Sequence, residues 1–257
     1  MPESYRAVPE PLAAFFHAHP RLALAFSGGV DSAYLLYAAT ACGCDVEALY
    51  ARSAFQPAFE RADAQRLARQ LNARLVEVPL NVLAVEAVRL NPADRCYHCK
   101  QAIFSALIER ARADGYDVVI DGTNASDDAS DRPGMRALTE LKVLSPLRLC
   151  GVTKAQVRAY SREAGLFTWD KPAYACLATR VPAGTPLTAG LLARVEASES
   201  ALFEMGFTDF RVRVFHDAAR LQLPADQLTR ALERREAIRA ALRPHFETVL
   251  LDLKDRG

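Results

Sequence analysis

A short apolar run followed at once by a glycine-rich loop constrains the fold of this chain more than any other feature. Residues 22–26 (Leu-Ala-Leu-Ala-Phe) are typical of a strand buried in a parallel sheet. Residues 27–32 read Ser-Gly-Gly-Val-Asp-Ser, and residues 32–42 carry Ala, Leu and Tyr at helical spacing. Because residues 46–50 are strand-like again, the sequence predicts a βαβ unit with the loop after its first strand.

The alternation of helix and strand continues along the chain. It predicts helices at residues 59–71 and 99–112 and strands at residues 74–78 and 117–121, with a candidate further strand at residues 144–149. Thr153, with Gln156 three residues later, predicts a capping box at the start of a helix that ends at Gly165. This pattern predicts an α/β fold with a doubly wound, mostly parallel sheet.

A smaller domain is predicted after residues 166–188, which carry Pro and Gly without periodicity and are read as a long loop. Beyond the loop, the pattern predicts helices at residues 191–205 and 225–242 and strands at residues 210–215, 220–223 and 248–253. We expect a nucleotide-binding domain at residues 1–188. We also expect a small α+β domain at residues 189–257, for substrate binding or oligomerisation.

Composition limits the partners of the chain. With 32 Lys and Arg against 31 Asp and Glu, the net charge is +1, so the chain as a whole does not attract nucleic acid and any polyanion site must be a local cluster. Nucleic acid is not expected as a partner, although the net charge alone is weak evidence against tRNA. Residues 1–8 carry no cationic and apolar leader, and no apolar run approaches the roughly 18 residues of a membrane span. A cytoplasmic location is therefore expected, where the six cysteines are thiols or metal ligands rather than a disulfide framework.

The loop at residues 27–32 has the chemistry of an anion-binding site. Its glycines let phosphate oxygens approach the backbone, and the start of a helix attracts negative charge. The Ser27 and Ser32 hydroxyls can donate hydrogen bonds, whereas Asp31 would orient the loop or hold Mg²⁺. The alternative is an ordinary turn between strand and helix. The pattern is neither the P-loop nor the dinucleotide motif, and it resembles the PP-loop of ATP pyrophosphatases.

The PP-loop resemblance implies an ATP site at the carboxyl ends of the strands. It implies pyrophosphate on the glycine loop and adenosine at the end of the second strand. Residues 121–124, at the end of a later strand, also fit the site. The alternatives are a surface charge for Arg52 and a turn for Gly122. The expected nucleotide-binding residues are Ser27, Gly28, Gly29, Asp31, Ser32, Arg52, Ser53, Gly122, Thr123 and Asn124.

Three cysteines are candidates for sulfur or metal chemistry: Cys96 and Cys99, spaced as Cys-x-x-Cys, and Cys176 in the long loop. Structural zinc would need a fourth ligand, from His98 or Cys150. A [4Fe–4S] cluster on three cysteines would leave one iron open. The Cys-x-x-Cys is alternatively a redox pair or incidental.

Cys176 also has the sequence context of a nucleophile. Lys171 and Arg180 are close to it in sequence, and they would favour a thiolate that attacks an adenylated carboxylate. The remaining cysteines lie in or beside regular elements, where small buried hydrophobes are expected: Cys42, Cys44 and Cys150.

Five motifs in this order resemble the LarE family of ATP-dependent pyridinium-3,5-biscarboxylic acid mononucleotide sulfurtransferases, which help build the nickel-pincer nucleotide of lactate racemase. The motifs are residues 27–32, 91–100, 121–124, 176–180 and 210–213, and the likeness runs from about residue 15 to the C-terminus. The resemblance implies that Mg²⁺-ATP adenylates a substrate carboxylate, that pyrophosphate leaves, and that sulfur replaces AMP to give a thiocarboxylate. It also implies a homo-oligomer, with a hexamer as one form.

The resemblance implies two sulfur sources. In one, Cys176 forms a thioester and gives up its own sulfur, becoming dehydroalanine. In the other, Cys96, Cys99 and Cys176 bind a [4Fe–4S] cluster whose open iron carries a transferable sulfide. Because all three cysteines are present, we expect the cluster version, with these three as the catalytic and metal-binding residues.

Basic residues of the second domain are candidates for the phosphate of the pyridinium mononucleotide. Arg211 and Arg213 are two residues apart on a strand, so they share a face, and two guanidinium forks suit a phosphate. With Arg180 they form the expected phosphate-binding set, and a solvent-exposed basic face is the alternative. Glu199 and Asp217 are candidates to complete a polar or metal-binding site.

Three other functions compete with this interpretation. A tRNA thiolase shares the PP-loop, but it would need an added basic RNA-binding module. An amidotransferase-like or NAD-synthetase-like ligase would leave Cys176 and the Cys-x-x-Cys without a role. A zinc-stabilised nucleotide sensor would use the Cys-x-x-Cys as a structural staple.

Overall fold

The computed structural model describes residues 8–127 and 133–256. The helices in this part of the chain are α1 (Glu10–Ala18), α2 (Val30–Ala41), α3 (Ala58–Gln70), α4 (Glu86–Arg89), α5 (Arg95–Ala113), α6 (Pro133–Glu140), α7 (Pro146–Leu149), α8 (Lys154–Glu163), α9 (Ala189–Glu204), α10 (Ala225–Glu233) and α11 (Arg235–Leu242). The strands are β1 (Arg21–Ala25), β2 (Asp45–Arg52), β3 (Arg74–Pro79), β4 (Val119–Ile120), β5 (Arg211–Phe215), β6 (Ala218–Gln222) and β7 (Thr248–Leu251). The expectation of no leader concerns residues 1–8, of which residues 1–7 lie outside the described part.

The chain divides into two compact units. The first comprises residues 1–53, 58–82 and 94–171, and the second comprises residues 54–57, 83–93 and 172–257. The domain boundary between residues 188 and 189 stays a prediction. The two units show which segments pack together, and they do not test where a domain with its own function begins.

The first unit contains a four-stranded sheet in the order β3-β2-β1-β4, with every pair parallel. In the middle of β1, Leu24 pairs with Ala48 on one side and Ile120 on the other. All three residues are fully buried, as expected of a parallel sheet covered on both faces. The predicted α/β class is confirmed.

The parallel direction of these strands brings the candidate nucleotide-binding segments to one edge of the sheet. Because β1, β2 and β4 run parallel, the loops that follow them leave from the same edge. Those loops carry residues 27–32, the segment around Ser53, and residues 121–124. The edge therefore collects the three segments that the sequence assigns to ATP.

In the first unit, two predicted elements differ in the structure. The strand at residues 144–149 is wrong: Leu144 makes an isolated parallel bridge to Ile120, and Pro146 then opens α7. Proline at the first helical position lacks only a donor that the helix does not need there, so it favours a helix start. Helix α5 begins at Arg95 rather than at residue 99, which places the Cys-x-x-Cys inside its first turn.

The second unit contains a three-stranded sheet in the order β5-β6-β7. Strands β5 and β6 pair antiparallel as a hairpin, whereas β6 and β7 pair parallel. The predicted helix at residues 225–242 is interrupted at Arg234 and forms α10 and α11. Among the described residues, no helix is both long and apolar enough to cross a membrane.

Candidate active site

The glycine loop is shaped by backbone that a side chain would obstruct. Gly28 has a φ of 72°, and a Cβ placed there would lie 3.2 Å from the backbone nitrogen of Ala64 and 3.2 Å from the carbonyl oxygen of Glu60, both in α3. Gly29 is the N-cap of α2 and makes no side-chain capping bond. The first N–H groups of α2 therefore remain available to an anion at this loop.

The two serine hydroxyls close the loop on itself. Ser32 Oγ donates to the carbonyl of Gly29 at 3.2 Å and accepts from the backbone N–H of Ser27 at 3.3 Å. The two hydroxyl oxygens lie 3.1 Å apart, and Ser27 Oγ also accepts from the N–H of Gly29 at 3.3 Å. Both hydroxyls thus belong to one small hydrogen-bond network around the loop.

Asp31, the loop carboxylate, is held from two sides. Lys154 Nζ lies 2.5 Å from Asp31 Oδ2, and Asn124 Nδ2 donates to Oδ1 at 3.3 Å. Burial raises the pKa of Asp31, while the hydrogen bond and charge of Lys154 act in the opposite direction. Lys154 is the first residue of α8, after the predicted capping box of Thr153 and Gln156, which is present.

The segment after β4 lies directly against the glycine loop. A Cβ at Gly122 would be 3.1 Å from the backbone nitrogen of Ser32, so a side chain there would push the two segments apart. Asp121 accepts hydrogen bonds from the Ser145 hydroxyl at 2.6 Å and the Thr123 hydroxyl at 2.5 Å. These bonds fix the turn that carries Gly122.

A cavity of about 490 Å³ joins these segments. Its lining combines the loop, the end of β4 and the first turns of α5, and includes Ser27, Asp31, Ser32, Gly122, Thr123, Cys96 and Lys100. The structure therefore brings the first cysteine of the Cys-x-x-Cys into the same cavity as the candidate pyrophosphate site.

Arg52 lies at the end of β2, where the adenosine was expected. Its Nε is 3.6 Å from Glu77 Oε2, and Glu77 also binds Arg61 Nη2 at 2.9 Å and Gln65 Nε2 at 2.7 Å. The Arg61 hydrogen bond is the main cause that lowers the pKa of Glu77. The roles of Arg52 and Ser53 stay predictions.

The six cysteines all lie in the described residues, and none forms a disulfide. Burial raises the pKa of the Cys42 and Cys150 thiols, and it raises that of Cys44 to about 11. Cys96, by contrast, is exposed. Among the described residues, no three His, Cys, Asp or Glu side chains form a group that could hold a metal ion.

In the second unit, Cys176 precedes a 3₁₀ turn at Leu177–Arg180. Arg180 donates from Nε to Glu199 Oε1 at 2.8 Å and from Nη2 to Glu199 Oε2 at 3.2 Å. The side chains of this pair are 0% and 2% exposed. Glu199 also accepts from the Tyr174 hydroxyl and from the N–H of Val212 at 2.9 Å.

Arg211 and Arg213 lie on β5 beside this buried pair. Arg211 donates to the carbonyls of Phe210 and Ala173, each at 2.6 Å. Burial, and then the charges of Arg180 and Arg256, lower the pKa of Arg211 to about 10. The phosphate-binding role of the predicted set stays a prediction, but the excess positive charge around Arg211 would favour a bound anion.

Sequence reasoning missed Lys154 and Lys100. Lys154 is separated by 123 residues from its partner Asp31, and its only local signal is its place after the capping box. Lys100 directly follows the Cys-x-x-Cys, on a helix that was predicted to start too late. Gly134, whose Cβ would meet the Lys100 Cδ at 2.9 Å, belongs to α6, which was not predicted.

Similar proteins extend over most of the chain. The pyridinium-3,5-bisthiocarboxylic acid mononucleotide synthase of Lactiplantibacillus plantarum is 34% identical, over 91% of this chain and 86% of that protein. An uncharacterised protein of Synechocystis sp. is 37% identical, over 85% of this chain and 82% of that protein. A tRNA-specific 2-thiouridylase of Frankia alni is 28% identical, over 59% of this chain and 53% of that protein. No protein-family model matches the chain.

Proposed function

The chain belongs to the LarE family, that of the L. plantarum synthase, and on this premise we propose that it inserts sulfur into pyridinium-3,5-biscarboxylic acid mononucleotide. The observation that carries the proposal is the cavity in which the glycine loop and Cys96 meet. ATP activation and sulfur chemistry need a shared space, because an adenylated carboxylate is readily hydrolysed in water.

The residues at the loop fit the triphosphate of ATP. Gly28 lets the loop pack closely against α3, Gly122 lets the segment after β4 lie close to the loop, and the start of α2 supplies N–H donors. The Ser27 and Ser32 hydroxyls can turn from each other to phosphate oxygens. Asp31 carries the carboxylate that suits Mg²⁺, and Lys154 beside it supplies positive charge for the leaving pyrophosphate.

This arrangement supports adenylation of the substrate as the first step. A substrate carboxylate oxygen forms a bond to the α-phosphorus of ATP. The bond from that phosphorus to the oxygen that joins it to the β-phosphorus breaks, and this oxygen leaves as part of pyrophosphate. The loop N–H groups and Lys154 stabilise the charge that develops on the departing pyrophosphate. The activated carbonyl carbon then accepts a sulfur nucleophile, AMP leaves, and a thiocarboxylate results.

We place the substrate phosphate on Arg211 and Arg213. Their shared strand face supports this placement. So do the charges of Arg180 and Arg256, which, after burial, lower the pKa of Arg211. Arg180, the third residue of the predicted set, has a fully buried side chain paired to Glu199.

For the sulfur source we propose a [4Fe–4S] cluster on Cys96, Cys99 and Cys176. The donors suit such a cluster in kind, since Cys96 and Cys99 lie three residues apart in the first turn of α5. When bound, the cluster would supply a sulfide on its open iron. The described residues contain no preformed group of three ligands. The alternative source is the sulfur of Cys176 itself.

The chain is proposed to act as a cytoplasmic homo-oligomer, with a hexamer as one form. A tRNA thiolase remains the alternative function, favoured only by the 28% identity to the F. alni enzyme over 59% of this chain.

The experiment that tests the sulfur source is anaerobic purification, with iron and sulfide quantified, followed by intact mass before and after one turnover. The cluster proposal predicts iron and sulfide in the protein and an unchanged polypeptide mass. Loss of hydrogen sulfide from Cys176 in an iron-free protein would establish the alternative source. A Cys96→Ser variant should lose iron, whereas the matched variant Cys42→Ser should keep it.

A further inference from the structure

We propose that Arg180 is a positioning residue that fixes the backbone of Cys176, together with Thr179. The inference deepens the proposed function, since it concerns the loop cysteine of both sulfur routes. It also assigns Arg180 a different task from that of a substrate ligand.

All three nitrogens of the Arg180 guanidinium donate hydrogen bonds to protein groups. Its Nε and Nη2 form the forked pair with Glu199, a geometry that fixes the guanidinium plane. Its Nη1 donates to the carbonyl of Ala175 at 2.8 Å, to the carbonyl of Cys176 at 3.4 Å and to Thr179 Oγ1 at 2.8 Å. One side chain thus joins a buried carboxylate to the two carbonyls on either side of the Cys176 α-carbon.

The Cys176 carbonyl is the meeting point of these bonds. Besides Arg180, it accepts from the Thr179 hydroxyl at 2.8 Å and from the Thr179 backbone N–H at 3.0 Å. The next residue, Leu177, donates its N–H to the carbonyl of Phe55 at 2.9 Å. The backbone is therefore held on both sides of the cysteine, while its side chain remains half-exposed.

The hydrogen bonds from Arg180 and Thr179 to the backbone around Cys176 form what we call the clamp. Glu199 connects the clamp to the strand that carries the proposed phosphate ligands. It accepts from the N–H of Val212, between Arg211 and Arg213, and Arg213 Nη1 donates to the carbonyl of Thr179 at 2.7 Å. The sulfur-bearing turn and the phosphate-binding strand are thus one hydrogen-bonded assembly. A fixed cysteine backbone matters here because a small displacement of a reacting atom costs much of the rate.

A role for Arg180 as a phosphate ligand would require breaking the pair with Glu199. A buried carboxylate left without its partner is strongly destabilising. The Arg180 Cζ also lies 4.5 Å from the centroid of the Tyr174 ring, which covers one face of the guanidinium. The side chain is therefore placed to hold protein groups rather than to receive a ligand.

The test compares Thr179→Val, which removes the hydroxyl at nearly constant volume, with Thr179→Ser, which keeps it. Two readouts are used. The first compares the rate of pyrophosphate release with the rate of thiocarboxylate formation, and the second is the hydrogen-exchange rate of the backbone amides at residues 175–179. For Thr179→Val we expect unchanged pyrophosphate release, about tenfold slower thiocarboxylate formation and faster exchange, since hydrogen bonds of this kind are worth about a factor of ten. Thr179→Ser should restore both readouts.

Arg180→Lys tests the guanidinium fork with the charge kept, and a thermal melt checks that it folds. We expect faster exchange at residues 175–179 and slower thiocarboxylate formation, with the KM for the pyridinium substrate within about twofold of wild type. A large rise in that KM with unchanged exchange would make Arg180 a substrate ligand and overturn the inference. Unchanged exchange and sulfur transfer in both Thr179→Val and Arg180→Lys would also overturn it.

The proposed function and the clamp at Cys176 are tested by different measurements. If wild-type protein releases no pyrophosphate with the pyridinium substrate, the proposed function is wrong. Hydrogen exchange in the variants then still decides whether Thr179 and Arg180 hold Cys176.

Discussion

Lys154 Nζ lies 2.5 Å from Asp31 Oδ2, which ties the start of α8 to the glycine loop. The two side chains are 33% and 22% exposed, so the pair is partly shielded from water. This ion pair joins Asp31, the one charged residue of the loop, to a residue 123 positions further along the chain. We propose that it also places Lys154 beside the departing pyrophosphate.

Lys154→Gln should slow pyrophosphate release at saturating substrate by about tenfold or more, because a positive charge at the developing pyrophosphate is lost and Asp31 is freed to move. The measurement is steady-state pyrophosphate release. Arg21→Gln is the control, since Arg21 Nε forms an ion pair with Asp45 Oδ2 at 3.1 Å, outside the loop. Equal effects of the two variants would contradict a role of Lys154 in ATP use.

Gly28→Ala should abolish ATP-dependent pyrophosphate release. The substitution costs about 1 to 2 kcal/mol for the left-handed backbone alone, and the new Cβ also meets backbone atoms of α3. Gly43→Ala is the control, because Gly43 has a similar φ of 75° but no atom within 4 Å of its Cβ position. Urea unfolding and pyrophosphate release should separate the two: Gly43→Ala loses some stability and keeps activity.

The order of the secondary structure was predictable where it depends on neighbouring residues. The apolar run of β1, the glycines after it and the capping box of Thr153 are local signals, and each element forms where the pattern indicates it. The strand predicted at residues 144–149 was wrong because the apolar pattern outweighed the helix-starting preference of Pro146.

The candidate site was predictable only in part, because its pairs are distant in sequence. Nothing local to Lys154 indicates Asp31, which comes from another segment of the sheet edge. Similarly, Arg180 has the sequence context of a substrate ligand, and only the fold shows it buried against Glu199. Such pairings depend on strand order, which a single sequence does not display.

Arg211→Gln and Arg213→Gln should each raise the KM for the phosphorylated pyridinium substrate by about tenfold, with the KM for ATP unchanged. The reason is the loss of a charge-assisted bond to phosphate. The pKa of Arg211, lowered to about 10, still leaves it protonated at neutral pH. A dephosphorylated substrate analogue provides the check, because the variants and wild type should use it equally; a persisting difference would place the phosphate elsewhere.

The cysteines should differ in their reaction with iodoacetamide at pH 8, measured by peptide mass mapping. A thiol whose pKa is raised to about 11 has about one molecule in a thousand as thiolate at this pH, so Cys44 should react slowly. Its rate should rise about tenfold per pH unit until the pH nears that pKa. In protein freed of iron, exposed Cys96 should react first, and urea-unfolded protein should lose the difference. Fast labelling of Cys44 in folded protein would contradict its burial.

The most direct test of sulfur insertion uses purified protein, Mg²⁺-ATP and pyridinium-3,5-biscarboxylic acid mononucleotide in a single turnover under anaerobic conditions. Pyrophosphate and the mass of the pyridinium product are measured together. We predict that one pyrophosphate appears for each carboxylate in which sulfur has replaced oxygen. Pyrophosphate release that yields no sulfur-containing pyridinium product, or no release with this substrate, would contradict the proposed function.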